Sequence, residues 1–480
     1  MTKPNVILVL TDNQMAKTLG CYGNDDARTP HIDQLAENGV RFDNAYCPNT
    51  FCSPARASLL TGKMPSQHGV HSWIDDRRRQ DWPQGWHALK DHATLPEILR
   101  SSGYKTGLFG KYHLGDPSTK ALGWDAWVTM ADGHVRSFYD NRIYDAWEFY
   151  DQPGHAVDFF TSKAVTWIGE QTEPYFAYIP FPAPYGHWPA TNDGRRNRHA
   201  NVFDDDPMNS VPRSVISREA VAHFERVNAN SGSGLDFSML MRAPNHVPTL
   251  RNYFSQISMI DDAVGRLREA DPNALIIFTA DHGLSLGHHG FWGHGAATYP
   301  SNMHHAAHSI PLIMSHPGRL PRGRIEERYV TNMDLFSTVI DLVGGNPDRS
   351  LPSRSLAPLL AGRSDGQWED NAVFAEQEET RVIRTPDWLY FRRCQADGVP
   401  KLPDALYDLK EDPGETTNVA GDPAYGKIVS NLVGRIDAYF ERYSCPAADL
   451  WQGGKPIQNS MMTDFWRQAW GEKWSPVYCY

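Results

Sequence analysis

The sequence predicts an α/β fold, a large doubly wound mixed sheet flanked by helices, with a smaller C-terminal α+β subdomain. Three observations carry this. Residues 5–10 (Asn5-Val6-Ile7-Leu8-Val9-Leu10) form a continuous apolar run rich in β-branched side chains, as expected of a strand buried on both faces. Strand-like runs then alternate with helix-like segments through most of the chain. Towards the C-terminus the pattern changes to short strand-like runs followed by one helix. The boundaries drawn from this are a large α/β domain over 1–365, a small subdomain of antiparallel strands plus helix over 366–445, and a tail over 446–480.

Taken in order, the first strand ends at Thr11-Asp12-Asn13. Thr29-Pro30 opens a helix that Gly39 stops, and a strand is expected over 40–45. The loop-like Pro48-Asn49-Thr50 precedes a helix that starts at Cys52, carries Ser53-Pro54 in its first turn and ends at Gly62. A helix over 95–102 and a strand over 105–109 follow, then a helix over 156–170 and a strand over 175–181. A helix over 250–270, a strand over 274–279 and a helix over 330–343 complete the alternation. The polar stretch 191–248, rich in Asn, Arg and Ser, reads as a surface excursion of the kind that shapes binding sites. Residues 346–365, with several Pro, Gly and Ser, read as a connection to strands over 372–376, 382–384, 388–393 and 405–408 and a helix over 425–443.

In a doubly wound sheet, ligands bind beyond the carboxyl ends of the strands. Asp12, Lys111, His187 and Asp281 all follow predicted strands, which points to one pocket.

The 480 residues carry 46 Lys and Arg against 57 Asp and Glu, a net charge of −11, which disfavours a general nucleic-acid partner. An anionic ligand then needs a local positive site. Arg77-Arg78-Arg79 and Arg195-Arg196 read as solvated loops rather than patches. Six irregularly spaced cysteines argue for free thiols. No apolar run approaches the roughly 18 residues of a membrane helix, so no membrane partner is expected. The opening apolar run is too short for a signal-peptide core. As numbered, the chain reads as cytoplasmic, or as periplasmic or secreted if a leader was removed. Trp451, Trp466, Trp470 and Trp474 in the polar tail either pack onto their own subunit or form an aromatic arm to a second protomer, giving a homo-oligomer. Trp73, Trp82, Trp86 and Trp188 are candidates for stacking on a sugar face, although each alone more often reflects packing.

A Cys at a helix N-terminus is usually a small buried hydrophobe, but free N–H groups there favour a nucleophile or an anion. Asp12-Asn13 and Asp281-His282, each a turn or cap in isolation, together offer oxygen ligands and an imidazole at two strand ends. That donor set suits Ca²⁺ or Mg²⁺ better than zinc.

Cys52-Ser53-Pro54-Ala55-Arg56 is similar to the C-x-P-x-R core of the formylglycine-dependent (type I) sulfatases of the alkaline phosphatase superfamily, and Leu59-Leu60-Thr61-Gly62 to its continuation. The resemblance extends to Asp12, Gly110-Lys111-Tyr112-His113-Leu114-Gly115, Asp281-His282-Gly283, Ile310-Pro311-Leu312-Ile313 and Leu406-Tyr407-Asp408-Leu409.

It implies that a formylglycine-generating enzyme oxidises Cys52 to an aldehyde. The aldehyde hydrates to a gem-diol, one oxygen of which attacks sulfur and displaces the alcohol. The second hydroxyl then expels sulfate as the aldehyde reforms. It also implies a divalent metal, Ca²⁺ first with Mg²⁺ or Mn²⁺ as alternatives, held by Asp12, Asn13, Asp281, His282 and the modified Cys52. By the same resemblance Arg56 holds the diol and Lys111 contacts nucleophile and sulfate. His113 is the base that collapses the hemiacetal, and His187 the general acid facing the leaving oxygen. Two positions depart from the family: Asn13 stands where many members have Asp, and His294 where a sulfate-binding Lys is usual. His294 takes that contact, or His304, His305 or His308 does.

The expected activity is hydrolysis of a sulfate ester, with sulfated sugars ahead of aryl or alkyl sulfates. The alternatives are a phosphonate monoester or phosphodiester hydrolase using the same nucleophile, and a non-catalytic binding protein on the same scaffold. The intact Cys52, Arg56, Lys111 and His113 argue against the last.

Overall fold

The computed structural model describes residues 3–146, 148–186, 190, 194–213, 216–222, 246–363 and 366–477. His187, Trp188, Cys479, much of the 191–248 excursion and the expected domain border at 365 lie outside the described residues.

The strands are β1 (Val6–Asp12), β2 (Val40–Phe42), β3 (Ala45–Tyr46), β4 (Lys105–Gly110), β5 (Ala126–Met130), β6 (Arg142–Asp145), β7 (Glu148–Asp151), β8 (Tyr175–Pro184), β9 (Leu275–Ala280), β10 (Leu312–Ser315), β11 (Arg324–Glu326) and β12 (Val330–Thr331), followed by β13 (Val373–Gln377), β14 (Thr380–Arg384), β15 (Trp388–Arg393) and β16 (Ala405–Asp408). Ten of them form one sheet in the order β11-β2-β10-β9-β1-β8-β4-β5-β6-β7. Its centre, β9-β1-β8-β4-β5, is parallel, and β10 and β6 run antiparallel to their inner neighbours. The sheet is therefore mixed, with β1 in the middle.

The continuous apolar character of β1 follows from this position. Ile7 and Val9 face a layer that includes α1 (Pro30–Glu37), while Val6, Leu8 and Leu10 face the layer of α2 (Cys52–Thr61) and α3 (Leu95–Ser101). The first layer also holds α4 (Ala156–Gly169) and α5 (Val247–Ala270), and the second holds α6 (Asp334–Leu342). Each methyl group on β1 is thus removed from water, at about 25 cal/mol per Å² of apolar surface.

β13 to β16 form the expected antiparallel subdomain sheet in sequence order. Ile383, Tyr390 and Leu406 pack on Leu432, Ile436 and Phe440 of α7 (Gly426–Tyr443). β13 also supports the loop before Cys52: Glu376 N–H donates to the Pro48 carbonyl at 3.0 Å, and Asn49 Nδ2 to the Glu376 carbonyl at 2.7 Å.

The tail turns back on its own chain. Trp466 and Trp474 are buried with Cys394, Leu402 and Phe465 around α8 (Thr463–Trp470). Ile457 N–H donates to the Gly69 carbonyl at 2.7 Å.

Two expected elements differ. The strand over 40–45 is two strands, since Asp43 and Asn44 interrupt it and β3 pairs with β12 instead. The helix over 330–343 begins only at Asp334, because Val330 and Thr331 are taken by that pairing. Strands β5, β6, β7, β10 and β11 carried no clear period-2 signal, being short or near the sheet edges. Among the described residues, no helix is long and apolar enough to cross a membrane. Cys21, Cys47, Cys52, Cys394 and Cys445 are free thiols.

Candidate active site

Four adjacent strands of the sheet, β9-β1-β8-β4, are parallel, so their carboxyl ends lie side by side. β1 delivers Asp12 and Asn13, β4 leads to Lys111 and His113, β8 to Tyr185, and β9 to Asp281 and His282. α2 points its first residue, Cys52, at this row, with Arg56 one turn further on. Asn13 (φ 63°) and His113 (φ 57°) adopt the left-handed conformation just beyond their strands. A non-glycine residue there is unusual, and it folds the chain back over the strand ends.

The distances make one cluster. Cys52 Sγ lies 3.3 Å from Asp12 Oδ1, 3.3 Å from His282 Nε2 and 4.0 Å from Asn13 Oδ1. Arg56 donates to Asp281 Oδ2 from Nε (3.1 Å) and Nη2 (2.9 Å), to Asp12 Oδ2 from Nη2 (3.2 Å) and to the Lys111 carbonyl from Nη1 (2.6 Å). Lys111 Nζ donates to Asp12 Oδ2 at 2.5 Å and sits 5.0 Å from the centre of the Tyr185 ring. Arg56, Lys111, Asp12 and Asp281 have fully buried side chains, so their charges must be met within the site. Two carboxylates face one guanidinium and one ammonium.

The electrostatics follow from that balance. Burial opposes ionisation of Asp12, but Lys111 and Arg56 outweigh it and hold the carboxyl well below its usual range. Burial also opposes the charge on Lys111, and Asp12 overcomes it, so the ammonium lies above its ordinary value. Burial, with Asp12 beside it, pushes the Cys52 thiol well up. Burial, then Lys111, drives His113 well below the usual histidine value. Its Nε2–H donates to the Ile74 carbonyl at 3.0 Å, and its Nδ1 is buried with no hydrogen-bond partner among the described residues. That leaves a neutral imidazole with a bare lone pair, the form a base requires.

The cluster fits a divalent cation. Ligand atoms of Asp12, Cys52, Asp281 and His282 all lie within 4.8 Å of one another, and all four residues are buried. Two ligands of a Ca²⁺ ion, each about 2.3–2.6 Å from it, lie no more than about 5 Å apart. His282 Nδ1–H donates to the Gly283 carbonyl at 2.8 Å, which leaves Nε2 unprotonated and turned to the site. The Asn13 carboxamide has a buried Nδ2 with no hydrogen-bond partner among the described residues and presents Oδ1 to Cys52.

His294 lies beside this cluster, with its ring 5.2 Å from that of His282 and 4.7 Å from that of Phe51. The other histidines have different neighbours. His304 Nδ1 pairs with Glu415 Oε2 at 3.0 Å and its ring stacks on His289. The His305 backbone binds the same carboxylate, and His308 packs on Tyr46. Of the four candidates for the missing Lys, the structure therefore puts His294 next to Cys52's neighbours.

Sequence reasoning did not find several supporting residues. Ser53 Oγ donates to the His113 carbonyl (2.9 Å) and accepts from Ile74 N–H (3.0 Å), tying α2 to the His113 loop. Asn332 Nδ2 donates to the carbonyls of Ala280 and Asp281 at 3.0 Å each, and Tyr253 OH to that of Asn13 at 2.6 Å. Only Ser53 lay inside a recognisable motif. All three act on backbone atoms, for which spacing holds no signal.

The fold and site have counterparts. The sulfatase family model matches residues 4–345, and a model described as the C-terminal part of N-sulphoglucosamine sulphohydrolase matches residues 289–442. The chain is 25% identical to an N-acetylglucosamine-6-O-sulfatase of Bacteroides thetaiotaomicron, covering 92% of this chain and 87% of that one. It is 28% identical to an N-acetylgalactosamine-6-sulfatase of Canis lupus familiaris, covering 86% and 81%. A structure solved in complex with its substrate D-glucosamine-2-N,6-O-disulfate superposes with a TM-score of 0.72 at 22% identity, over 92% of this chain and 98% of the other. A phosphonate monoester hydrolase of Agrobacterium radiobacter shares the fold at a TM-score of 0.67 and 21% identity, over 92% and 96%. Since the family model spans residues 4–345, most of the chain and the whole Cys52 cluster, the chain belongs to the sulfatase family and is a sulfuric ester hydrolase.

Proposed function

We propose that the chain hydrolyses the sulfate ester of a carbohydrate at the Cys52 cluster, with Cys52 matured to formylglycine by a formylglycine-generating enzyme. The observation that carries this is the meeting of Cys52 and Arg56 with Asp12, Asn13, Asp281 and His282 in one buried site flanked by Lys111 and His113. The sulfated-sugar preference is supported by the relatives named for sulfated amino sugars.

Asp12, Asn13, Asp281 and His282 are the residues that would hold a divalent cation, and Ca²⁺ is the proposed ion. When bound, the ion would supply positive charge for the sulfate oxygens, and the hydrated formylglycine an oxygen nucleophile at position 52. This chain's own side chains then do the following. Arg56 and Lys111 already neutralise the two carboxylates, so the cation's charge is left over to attract the anionic ester. Arg56, braced on Asp281 and the Lys111 carbonyl, orients the group at position 52. Lys111 lies between Asp12 and Tyr185 and presents its ammonium to the sulfate. His294, edge-on to His282, is proposed to take the sulfate contact of the lysine usual in the family. His113 Nδ1 takes the proton at position 52 when sulfate departs, and His187 is proposed to protonate the leaving oxygen. The site is preorganised, so little reorganisation is needed as charge moves.

Protein produced with a formylglycine-generating system should show Cys52 converted to the aldehyde by peptide mass analysis, and Cys52→Ala should lose turnover. Full activity of Cys52→Ala would end the proposal. Chelation followed by return of single cations should restore turnover best with Ca²⁺; better recovery with Mg²⁺ or Mn²⁺ would reassign the ion. A marked preference for phosphonate or phosphodiester substrates over matched sulfates would favour the hydrolase reading that the Agrobacterium fold likeness keeps in view.

A further inference from the structure

One wall of the site holds a pair of side chains not used above. Asp76, in the turn Asp76–Asp81, accepts N–H bonds from Gly133 and from His134 (3.1 Å), and its Oδ1 lies 3.0 Å from His134 Nδ1. A carboxylate only accepts, so Nδ1 carries the proton and Nε2 is the atom the ring offers outward. The His134 imidazole stands edge-on to His113, with 5.0 Å between ring centres, and edge-on to Trp73 at 6.4 Å. Trp73 in turn packs at 5.8 Å on Phe51, the residue before Cys52. His134 and Trp73 therefore continue the wall from His113 outward. They are partly exposed, His134 to 33% of its side chain, whereas the reacting groups are buried.

Two of the three arginines beside this wall are paired with carboxylates. Arg77 pairs with Asp75, Arg78 with Asp81, and Arg79 donates to the Ala131 carbonyl. What the wall offers a ligand is an aromatic surface and an imidazole nitrogen of fixed tautomer, the combination that suits a hydroxyl-bearing ring rather than a second anion.

We propose that Trp73 and His134, the latter held by Asp76, form a leaving-group subsite that reads the neutral sugar ring carrying the sulfate ester. This rests on the sulfatase reading of the Cys52 cluster and adds to it the part of the substrate that reading leaves unassigned. His134 and Trp73 contact the sugar; Asp76 is a positioning residue that acts through His134.

The test compares wild type, His134→Ala, Trp73→Ala and Asp76→Asn on N-acetylglucosamine 6-sulfate, N-acetylgalactosamine 6-sulfate and 4-nitrophenyl sulfate. In parallel, calorimetry measures binding of the two sugar sulfates to the same variants in a Cys52→Ala background. The expected result for His134→Ala and Trp73→Ala is a rise of about tenfold in KM and Kd for the sugar sulfates. Their kcat should stay within threefold. Asp76→Asn should raise the same KM by a smaller factor. Trp73→Ala leaves the Asp76 hydrogen bonds in place, so it separates subsite loss from loop damage. Unchanged sugar-sulfate KM and Kd, or a loss of kcat larger than the rise in KM, overturns the subsite. Failure of the parent reading shows separately, as absence of turnover on every sulfate by wild type, while the Kd comparison still decides the subsite.

Discussion

Arg56 is the residue on which the site's charge balance turns. Its guanidinium forks between Asp281 and Asp12, and a lysine cannot reproduce that geometry. In chelated protein, Arg56→Ala removes the guanidinium facing buried Asp281 and leaves Asp12 with Lys111 alone, and breaking such a buried pair typically costs about 3–5 kcal/mol. The urea midpoint should fall accordingly. Arg56→Lys keeps the charge but loses the fork, so it should retain more stability than Arg56→Ala while turnover falls at least tenfold. Gly133 shows the same tightness in a different way: a Cβ there would lie 2.0 Å from His113 Cδ2. Gly133→Ala should therefore displace the imidazole, costing about 1–3 kcal/mol of stability and lowering kcat by more than that loss of folded protein explains. Arg56 was legible from its place in the Cys52 motif. The role of Gly133 was not, because it depends on which ring the chain folds against it.

At the scale of elements, α2 carries Cys52 at one end and a strict stop at the other. Gly62 closes it with φ 67°, and a Cβ there would come within 2.6 Å of Phe336. Gly62→Ala should destabilise the protein by about 1–3 kcal/mol through backbone strain and overpacking. Since the fault lies at the far end from Cys52 and Arg56, turnover per folded molecule should be unchanged. Denaturant unfolding and active-site-normalised kinetics check both halves. The bounds of α2 could be read from Ser53-Pro54 and Gly62 because caps and stops are local chemistry. The start of α6 could not, because the pairing of β12 with β3 claims Val330 and Thr331, and that partner lies far away in sequence.

For the whole molecule, the tail and subdomain are joined through Glu378, in the turn between β13 and β14. Its carboxyl accepts from Ser460 Oγ (2.6 Å), from the N–H groups of Met461 (2.6 Å) and Met462 (3.1 Å), and from Trp466 Nε1 (3.1 Å). Burial, set against these donors, raises it from 4.5 to about 7. A carboxyl with a raised folded-state value contributes stability that is full below about pH 4.5 and is lost as pH rises through about 7. The amount at stake is roughly 3 kcal/mol at most. Between pH 5 and pH 8 the urea midpoint of wild type should drop more than that of Glu378→Gln, whose side chain is neutral throughout; equal drops would remove Glu378 as the cause. Of the four tail tryptophans, Trp466 and Trp474 are buried against their own chain, Trp451 is partly buried there, and Trp470 is exposed.

The sequence by itself determined the parallel centre of the sheet, through the two-sided apolar run of β1. It also marked Asp12-Asn13 and Asp281-His282 as a candidate donor set by residue type, and Cys52–Arg56 and Lys111 with His113 through the motifs that resemble the sulfatases. Only the tertiary structure decided that these converge at adjacent strand ends, and that His294 rather than His304, His305 or His308 lies beside His282. It alone brought Trp73, Asp76 and His134 to the wall next to His113. The reason is that local sequence encodes backbone preference and side-chain chemistry, whereas contact between distant segments follows from strand order and packing.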